Sequence, residues 1–367
     1  MTAASDKDVL PDQEEGLAHP RDCARFVGHV AAEETLARAL RSGAMPGAWL
    51  IGGPKGLGKA TLAYRFARWL LDGEMPAAGL DMDLSRPVAR MVSAQAHPGL
   101  IVLKRPFDDK GERLRKAIPI DEVRKIRSHF GLSGQARGYR VCIVDTADAL
   151  SEEAANALLK TIEEPPPRAV FLILANAPMR LLPTIRSRCR RLTLKPLSAA
   201  EMDAVLEPGA DMLSDGDRQL VAALSGGVPG RALALARGEG LSLYRETIAL
   251  LADLPKVDFA GLHDFAGRLG AAKSEQSYAL ARELFAGLIG RLVRFEARQT
   301  HPFAVPGEDK VLARLAQRAG LERWLDAWDK IRVLEARADA LALDRKQVVL
   351  SKFTALTRVA AGADSGL

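Results

Sequence analysis

The sequence has few cysteines and few aromatic residues, and it has no long apolar run. Cys23, Cys142 and Cys189 are too few and too far apart to suggest a disulfide framework or a clustered metal site. No apolar stretch reaches the roughly 18 residues that span a bilayer, and residues 1–30 lack the basic start and apolar centre of a secretory signal. These absences exclude a disulfide-stabilised or membrane-spanning protein and predict a cytoplasmic location.

What the sequence does contain is typical of a large soluble protein built mainly from helices. Its 367 residues are 48% hydrophobic, 27% charged and only 5% aromatic, and this length predicts two or three domains. The formal net charge of +6 permits contact with nucleic acid without requiring it. Residues 1–25 are predicted to be a mobile leader, because they are mostly polar and acidic and have little to bury.

Short apolar runs alternate with helical patterns between residues 26 and 196, which predicts an α/β module with a parallel sheet. The runs at 48–51, 99–104, 140–145, 169–176 and 190–195 are predicted strands, whose continuous hydrophobicity suits burial on both faces. No strand pattern follows. Residues 197–240 predict three short helices, and residues 241–367 predict a separate bundle of longer amphipathic helices.

The stretch GPKGLGK, residues 53–59, follows a predicted strand and precedes a predicted helix, as a phosphate-binding loop requires. Gly53, Gly56 and Gly58 would let backbone N–H groups converge on phosphate oxygens, and Lys59 would add a positive charge. The alternative is a glycine-rich turn that binds nothing. Ala60 stands where active loops carry a hydroxyl that coordinates Mg²⁺, so the metal loses a ligand.

A second part of a hydrolase site is incomplete at the end of the third predicted strand, in VCIVDTADAL. Asp145 could help to hold Mg²⁺, but Thr146 follows where active hydrolases carry a glutamate that orients or deprotonates the attacking water. Asp148 could be a displaced base, although a local turn or capping residue explains it more simply. Together with Ala60, this loss predicts that the chain does not hydrolyse nucleotide by itself.

Two further stretches, NALLKTIEEPP at 156–166 and TIRSRC at 184–189, are similar to those of the bacterial sliding-clamp loader subunits, members of the AAA+ class. The likeness extends from about residue 26 to the end of the chain. It is greatest to those loader subunits in which, as at Asp145 and Thr146 here, the aspartate–glutamate pair after the third strand is incomplete. It implies an AAA+ P-loop module at 26–196, a three-helix lid at 197–240 and a helical collar at 241–367.

The resemblance also implies partners. The collar would join a five-member assembly with the motor subunits, called gamma or tau, and with the delta subunit of the loader. The sliding clamp and primed DNA would be contacted through that complex, and no membrane is involved.

The resemblance gives Arg188, in TIRSRC, a specific role. In clamp loaders the matching arginine enters the adjacent subunit's ATP site, where a guanidinium supplied in trans stabilises the charge that develops on the γ-phosphate. The alternative is a surface cation at the C-terminal end of its helix. By the same resemblance, Asn176 matches the position that senses the γ-phosphate; the alternative is a turn residue at the end of a strand. Arg231 matches the lid arginine that closes over nucleotide, or pairs with the main module.

The sequence predicts no metal and no required cofactor. Many related loader subunits hold zinc with four cysteines between the phosphate-loop helix and the next strand, whereas residues 72–99 contain none and are interpreted as a linker-like insertion. Whether ATP or ADP still occupies the loop stays open at this point.

A basic stretch between residues 104 and 127 is the candidate DNA contact. Arg124, Lys125 and Arg127 lie on one predicted helix and could meet DNA phosphates, whereas a solvated charged loop is the more common explanation.

These features predict a catalytically silent structural subunit that stabilises the loader and lends Arg188 to a neighbour. One alternative is a self-sufficient ATPase like the motor subunit, and the sequence leaves open whether the chain has enzymatic activity of its own. An unrelated phosphate-loop kinase is disfavoured, because such an enzyme needs no long collar after a helical lid.

Overall fold

The computed structural model describes residue 13 and residues 17–108, 114–132, 138–208, 213–237, 239–271, 275–298 and 307–366. The chain divides into two compact units, one of residues 1–205 with 227–231 and the other of residues 206–226 with 232–367. More than half of the predicted leader, residues 1–12 and 14–16, lies outside the described residues. The predicted boundaries between module, lid and collar stay predictions.

The first unit is built around one parallel sheet. Its strands are β1 (Ala48–Gly52), β2 (Leu100–Leu103), β3 (Arg140–Val144), β4 (Ala169–Ala175) and β5 (Arg190–Thr193). They lie in the order β2-β3-β4-β1-β5, and every neighbouring pair is parallel. The predicted fold class, an α/β module with a parallel sheet followed by helices, is confirmed.

Helices cover both faces of this sheet. They are α1 (Val30–Arg41), α2 (Lys59–Asp72), α3 (Pro87–Ser93), α4 (Ile120–Leu132), α5 (Glu152–Glu163) and α6 (Pro183–Arg188). Successive residues of β1 enter different apolar clusters, since Trp49 and Ile51 pack with α1 and α2 while Ala48 and Leu50 pack with α4 and α5. A strand covered on both faces needs apolar side chains at every position, which explains the unbroken apolar run in its sequence.

The insertion at 72–99 is a packed part of the first unit, so its interpretation as a linker is wrong. Leu80 and Val88 are buried in the same apolar cluster as α2. Arg86, just before α3, forms an ion pair with Asp72 at 2.7 Å between the guanidinium and carboxylate. The sequence carried a local signal for α3, because Pro87 is favoured at the first position of a helix.

The rest of the chain is helical in the residues that the structure describes. The helices are α7 (Ala199–Leu206), α8 (Asp215–Ser225), α9 (Pro229–Arg237), α10 (Gly240–Ala252), α11 (Phe259–Gly270), α12 (Glu275–Arg298), α13 (Glu308–Arg318), α14 (Leu321–Leu341) and α15 (Arg345–Ala360). The second unit has its own core, in which Trp324 is fully buried and Phe353 contacts the rings of Phe265 and Phe285. Within the described residues, none of the helices combines the length and apolar character that crossing a bilayer requires.

Candidate functional site

The predicted phosphate loop connects β1 to α2 and depends on glycine for its shape. Gly53, Gly56 and Gly58 have φ angles of 149°, 83° and 86°, a range in which a side chain is strained. Gly58 is also the residue that precedes the first turn of α2. The three glycines and Lys59 therefore keep the strand-to-helix geometry that the motif requires.

Lys59 is buried at the start of α2, and protein acceptors surround its ammonium group. Its Nζ donates to the backbone oxygens of Gly53 and Pro54 at 2.7 and 2.8 Å, and to Oδ1 of Asn176 at 2.8 Å. Burial lowers the pKa of Lys59 to about 8, against the opposing influence of the Asp145 carboxylate. The structure thus brings together Lys59 and Asn176, two residues that the sequence singled out separately.

The position after the lysine has no hydroxyl, and its environment is apolar. Ala60 packs against the apolar cluster on the α2 face of the sheet. Asp145 directly follows β3, and Thr146 next to it has a φ of 62°, which is unusual for a β-branched residue. The Thr146 hydroxyl donates to Oδ1 of Asp145 at 3.4 Å, so it contacts the acid beside it and does not supply a base.

Asp148 connects the ends of two neighbouring strands. Its carboxylate accepts hydrogen bonds from the backbone N–H of Asn176 at 2.5 Å and of Ala177 at 2.9 Å. The prediction that Asp148 binds a local turn or helix start is therefore wrong. Its partner lies 28 residues away, at the end of β4. A signal was present, because parallel strands such as β3 and β4 end at the same edge of a sheet.

The segment at 227–231 lies directly on the phosphate loop within the first unit. The Gly230 N–H donates to the backbone oxygen of Gly56 at 2.9 Å. A Cβ at Gly230 would come within 2.9 Å of the Gly56 Cα, and one at Gly56 within 3.0 Å of a Val228 methyl group. Arg231, predicted as the lid arginine, follows at once. The sequence indicated Arg231 but gave no reason to expect this glycine-to-glycine contact.

Residues near the start of the first unit contact the loop from another side. The imidazole Nε2 of His29 is 3.1 Å from the backbone oxygen of Leu57, and burial lowers the pKa of that imidazole. A Cβ at Gly58 would lie 2.8 Å from the Phe26 ring. No local motif marks Phe26 or His29 as site residues, because their contacts with the loop exist only in the folded chain.

Arg188 is the last residue of α6, and its side chain is 41% exposed. One guanidinium nitrogen lies 2.7 Å from Oε1 of Glu163, and another donates to the backbone oxygen of Thr184 at 3.1 Å. The second contact agrees with the alternative interpretation, a cation at the end of its own helix. An ion pair this exposed contributes less than about 1 kcal/mol to stability, so Arg188 can exchange partners at small cost.

The phosphate loop and Arg188 lie at opposite ends of two paired strands. Gly53 follows the last residue of β1, while Arg188 precedes β5, whose Arg190 pairs with Trp49 near the start of β1. Because β1 and β5 are parallel, the five residues of β1 separate the two features by roughly 16 Å along the strands.

The predicted DNA-contact residues lie on the exposed side of α4. Arg124 pairs with Asp121 at 2.9 Å and Lys125 pairs with Glu122 at 2.6 Å, each between positions three apart on the helix. Arg127 is exposed on the same helix. Two other basic residues of the predicted stretch, at positions 110 and 113, lie outside the described residues.

Side chains that could hold a metal ion are not clustered in the part of the chain that the structure describes. No group of three or more histidine, cysteine, aspartate or glutamate residues there has a suitable arrangement. The prediction that the chain carries no zinc stays a prediction.

Comparison with known proteins identifies the family. A family model described as DNA polymerase III, delta subunit matches residues 28–198. The chain is 33% identical to DNA polymerase III subunit delta' of Escherichia coli K12 over 278 residues, which cover 75% of this chain and 78% of that subunit. It is 34% identical over 202 residues to the delta' subunit of Pseudomonas aeruginosa, covering 55% of this chain and 58% of that subunit.

Among solved structures, a DNA polymerase III gamma subunit-related protein from Thermotoga maritima matches 90% of this chain and 99% of its own, with 18% identity and a TM-score of 0.43. The extent and identity of the E. coli match carry the assignment. The chain belongs to the delta' family of DNA polymerase III subunits.

Proposed function

We propose that this chain is a non-hydrolysing structural subunit of the sliding-clamp loader in DNA replication, and that it donates Arg188 to the ATP site of a neighbouring motor subunit. The observation that carries the proposal is the exposed guanidinium of Arg188, which lies at the opposite end of the β1–β5 pair from the chain's own loop. Such an arginine cannot serve its own loop and is available to a partner.

The chain's own loop supports the silent role. Ala60 has no hydroxyl that could coordinate Mg²⁺. Thr146 stands where a base would activate water, and its hydroxyl contacts Asp145. Without a complete metal site and a carboxylate that orients water, nothing stabilises the charge on the attacking and leaving oxygens during ATP hydrolysis. ATP or ADP binding at this loop, if retained, would therefore be structural, and no cofactor is required.

A chain of hydrogen bonds around Lys59 supports the same conclusion. Asp148 holds the backbone of Asn176, and the Asn176 side chain accepts from Lys59. The lysine that would contact phosphate in an active loop is therefore engaged by protein atoms. A nucleotide would have to compete with Asn176 and with the backbone oxygens of Gly53 and Pro54.

An arginine supplied in trans has a large effect on phosphoryl transfer. It stabilises the charge spread over the transferring phosphoryl oxygens, and its contribution is about 10³ to 10⁵ in rate. The partners that the proposal requires are gamma or tau motor subunits and the delta subunit, with the sliding clamp and primed DNA bound through the complex. The chain would act in the bacterial cytoplasm as part of the DNA polymerase III holoenzyme, and the polymerase activity would be that of the complex.

Reconstitution of the loader tests the role of Arg188. We expect Arg188→Ala to lower the DNA-stimulated ATP turnover of the motor site that receives the arginine by about 10³ or more, without preventing assembly. The matched control is Arg38→Ala, since Arg38 is an exposed arginine of α1 on the other face of the sheet. Because the remaining motor sites stay active, turnover is measured in an assembly with a single hydrolysis-competent site. Equal rates for wild type and Arg188→Ala would contradict the proposal.

The alternative is an active motor ATPase, and the intact glycine geometry of the loop favours it. Steady-state ATP turnover by the isolated chain separates the two functions. Activity that Lys59→Ala abolishes would support the motor, whereas we expect no turnover above background.

A further inference from the structure

Two acceptors from different elements hold the head of Arg188. Glu163 is the last residue of α5, and its carboxylate lies 2.7 Å from one terminal nitrogen of the guanidinium. The backbone oxygen of Thr184, in α6, accepts from the other terminal nitrogen at 3.1 Å. These two contacts favour one orientation of a long side chain that would otherwise sample many rotamers.

This arrangement leaves most of the guanidinium available. An arginine has five N–H donors in one plane; within the described residues one of them donates to the Thr184 carbonyl, and the Glu163 carboxylate forms an ion pair with the other terminal nitrogen. The remaining N–H groups can bind phosphoryl oxygens while Glu163 stays in contact. Fixing the side chain in advance reduces the entropy that is lost when it enters a partner's site.

Glu163 occupies a position where a carboxylate is unfavourable for its own helix. The C-terminal end of a helix carries partial negative charge, so an acid in the last turn of α5 is repelled by the backbone carbonyls. The ion pair with Arg188 compensates for this repulsion. Three prolines at 165–167 follow closely and restrict the backbone beyond the helix.

We infer that Glu163 is a positioning residue for Arg188: it orients the guanidinium for the phosphoryl group of a neighbouring subunit and remains bound to it during the reaction. This inference rests on the proposed function of Arg188. Glu163 itself touches neither the nucleotide nor the reacting atoms.

The test uses the reconstituted loader with one hydrolysis-competent motor site and compares Glu163→Gln with wild type. Glutamine keeps the size of the side chain and removes its charge. We expect kcat for DNA-stimulated ATP hydrolysis to fall by about two- to fivefold, the factor that corresponds to the coupling of an exposed ion pair. The KM for ATP should stay unchanged, since the arginine acts mainly in the transition state.

The matched control is Glu164→Gln, which alters the adjacent exposed glutamate and should leave kcat unchanged. The decisive comparison is the double variant Glu163→Gln with Arg188→Ala, which should be no slower than Arg188→Ala alone, because a positioning residue has no effect once its target is absent. A merely structural role would slow the reaction in both backgrounds.

The outcomes separate this inference from the proposed function. If Arg188→Ala is strongly impaired while Glu163→Gln matches or exceeds wild type, the positioning role is wrong and the role of Arg188 stands. If Arg188→Ala equals wild type, the proposed function itself fails, and the inference fails with it. An equal loss from Glu163→Gln with and without Arg188 would also overturn the inference.

Discussion

At the scale of single residues, Lys59 shows how burial and hydrogen bonding oppose each other in the loop. Burial disfavours its charged form, while two backbone oxygens and the Asn176 side chain accept hydrogen bonds from its ammonium group. The carboxylates of Asp145 and Asp148 favour the charged form. The lysine therefore remains a cation at neutral pH but loses its proton more easily than an exposed lysine.

The titration of Lys59 is a direct prediction. We expect its amine to titrate near pH 8, against an ordinary value of 10.5, in NMR spectra that follow the lysine side-chain carbons. Between these two values the unfolded chain keeps a proton that the folded chain has lost, so the free energy of unfolding should rise with pH across this window. Below about pH 8 both states are protonated, and the contribution to the slope should vanish.

Two variants check the cause of this shift. Lys59→Met should remove the rise in unfolding free energy between pH 8 and 10. Asp148→Asn removes a charge that favours the cation, so it should lower the pKa of Lys59 further. A Lys59 pKa at the ordinary value would contradict the burial seen here.

At the scale of elements, the contact between the phosphate loop and residues 227–231 is tight enough to demand glycine. Gly230 donates its N–H to Gly56 and approaches it within a distance that leaves no room for a Cβ. The two backbones therefore pack directly on each other, with a Val228 methyl group beside them.

Gly230→Ala should destabilise the first unit by about 1–3 kcal/mol, because the new methyl group meets backbone atoms of Gly56 that cannot move freely. Chemical denaturation followed by circular dichroism measures the change. Gly267→Ala is the matched control, since Gly267 also lies in a helix and a Cβ there meets nothing within 4 Å. Alanine favours a helix over glycine, so the control should stabilise by up to about 1 kcal/mol; equal effects of both variants would contradict the steric argument.

The elements differ in how well the sequence predicted them, and the reason is physical. The strands β1, β3 and β4 could be predicted because a strand buried on both faces has a continuous apolar run in its sequence. The short helix α3 was missed, since its seven residues make only about two turns, too few to show a helical period.

The site shows the same division. The loop glycines and Lys59 follow a local motif, and sequence spacing sufficed to find them. The contacts of Asp148 with Asn176 and of Gly230 with Gly56 join residues that are distant in sequence. The order of strands in the sheet brings Asp148 to Asn176, and the placement of the start of α9 brings Gly230 to Gly56. One sequence does not supply either arrangement reliably.

At the scale of the whole molecule, a net charge of +6 is spread over a long chain, so local pairing decides where an anion could bind. On α4, Arg124 and Lys125 already have carboxylate partners on the same helix. Each would have to give up or share that partner to contact a DNA phosphate. Among the described residues, Arg127 is exposed and is the member of the trio without an ion pair to an acid of α4.

Salt dependence of loader binding to primed DNA tests this surface. If α4 contacts the phosphate backbone, alanine at all three positions should lower the slope of log K against log salt concentration by about one, since chiefly Arg127 releases counterions. Arg127→Ala alone should then account for most of the change. A slope that stays unchanged in the triple variant would assign these charges to a solvated face.

The phosphate loop and Arg188 lie at opposite ends of the β1–β5 pair, so the two ends of the module are chemically different. Modules that exchange an arginine in this way must stack head to tail, and such stacking produces an open row or a closed ring. If the chain donates Arg188 and does not hydrolyse ATP, as proposed, its place would be at the end of the row. In such an assembly, the number of working ATP sites would be smaller than the number of modules.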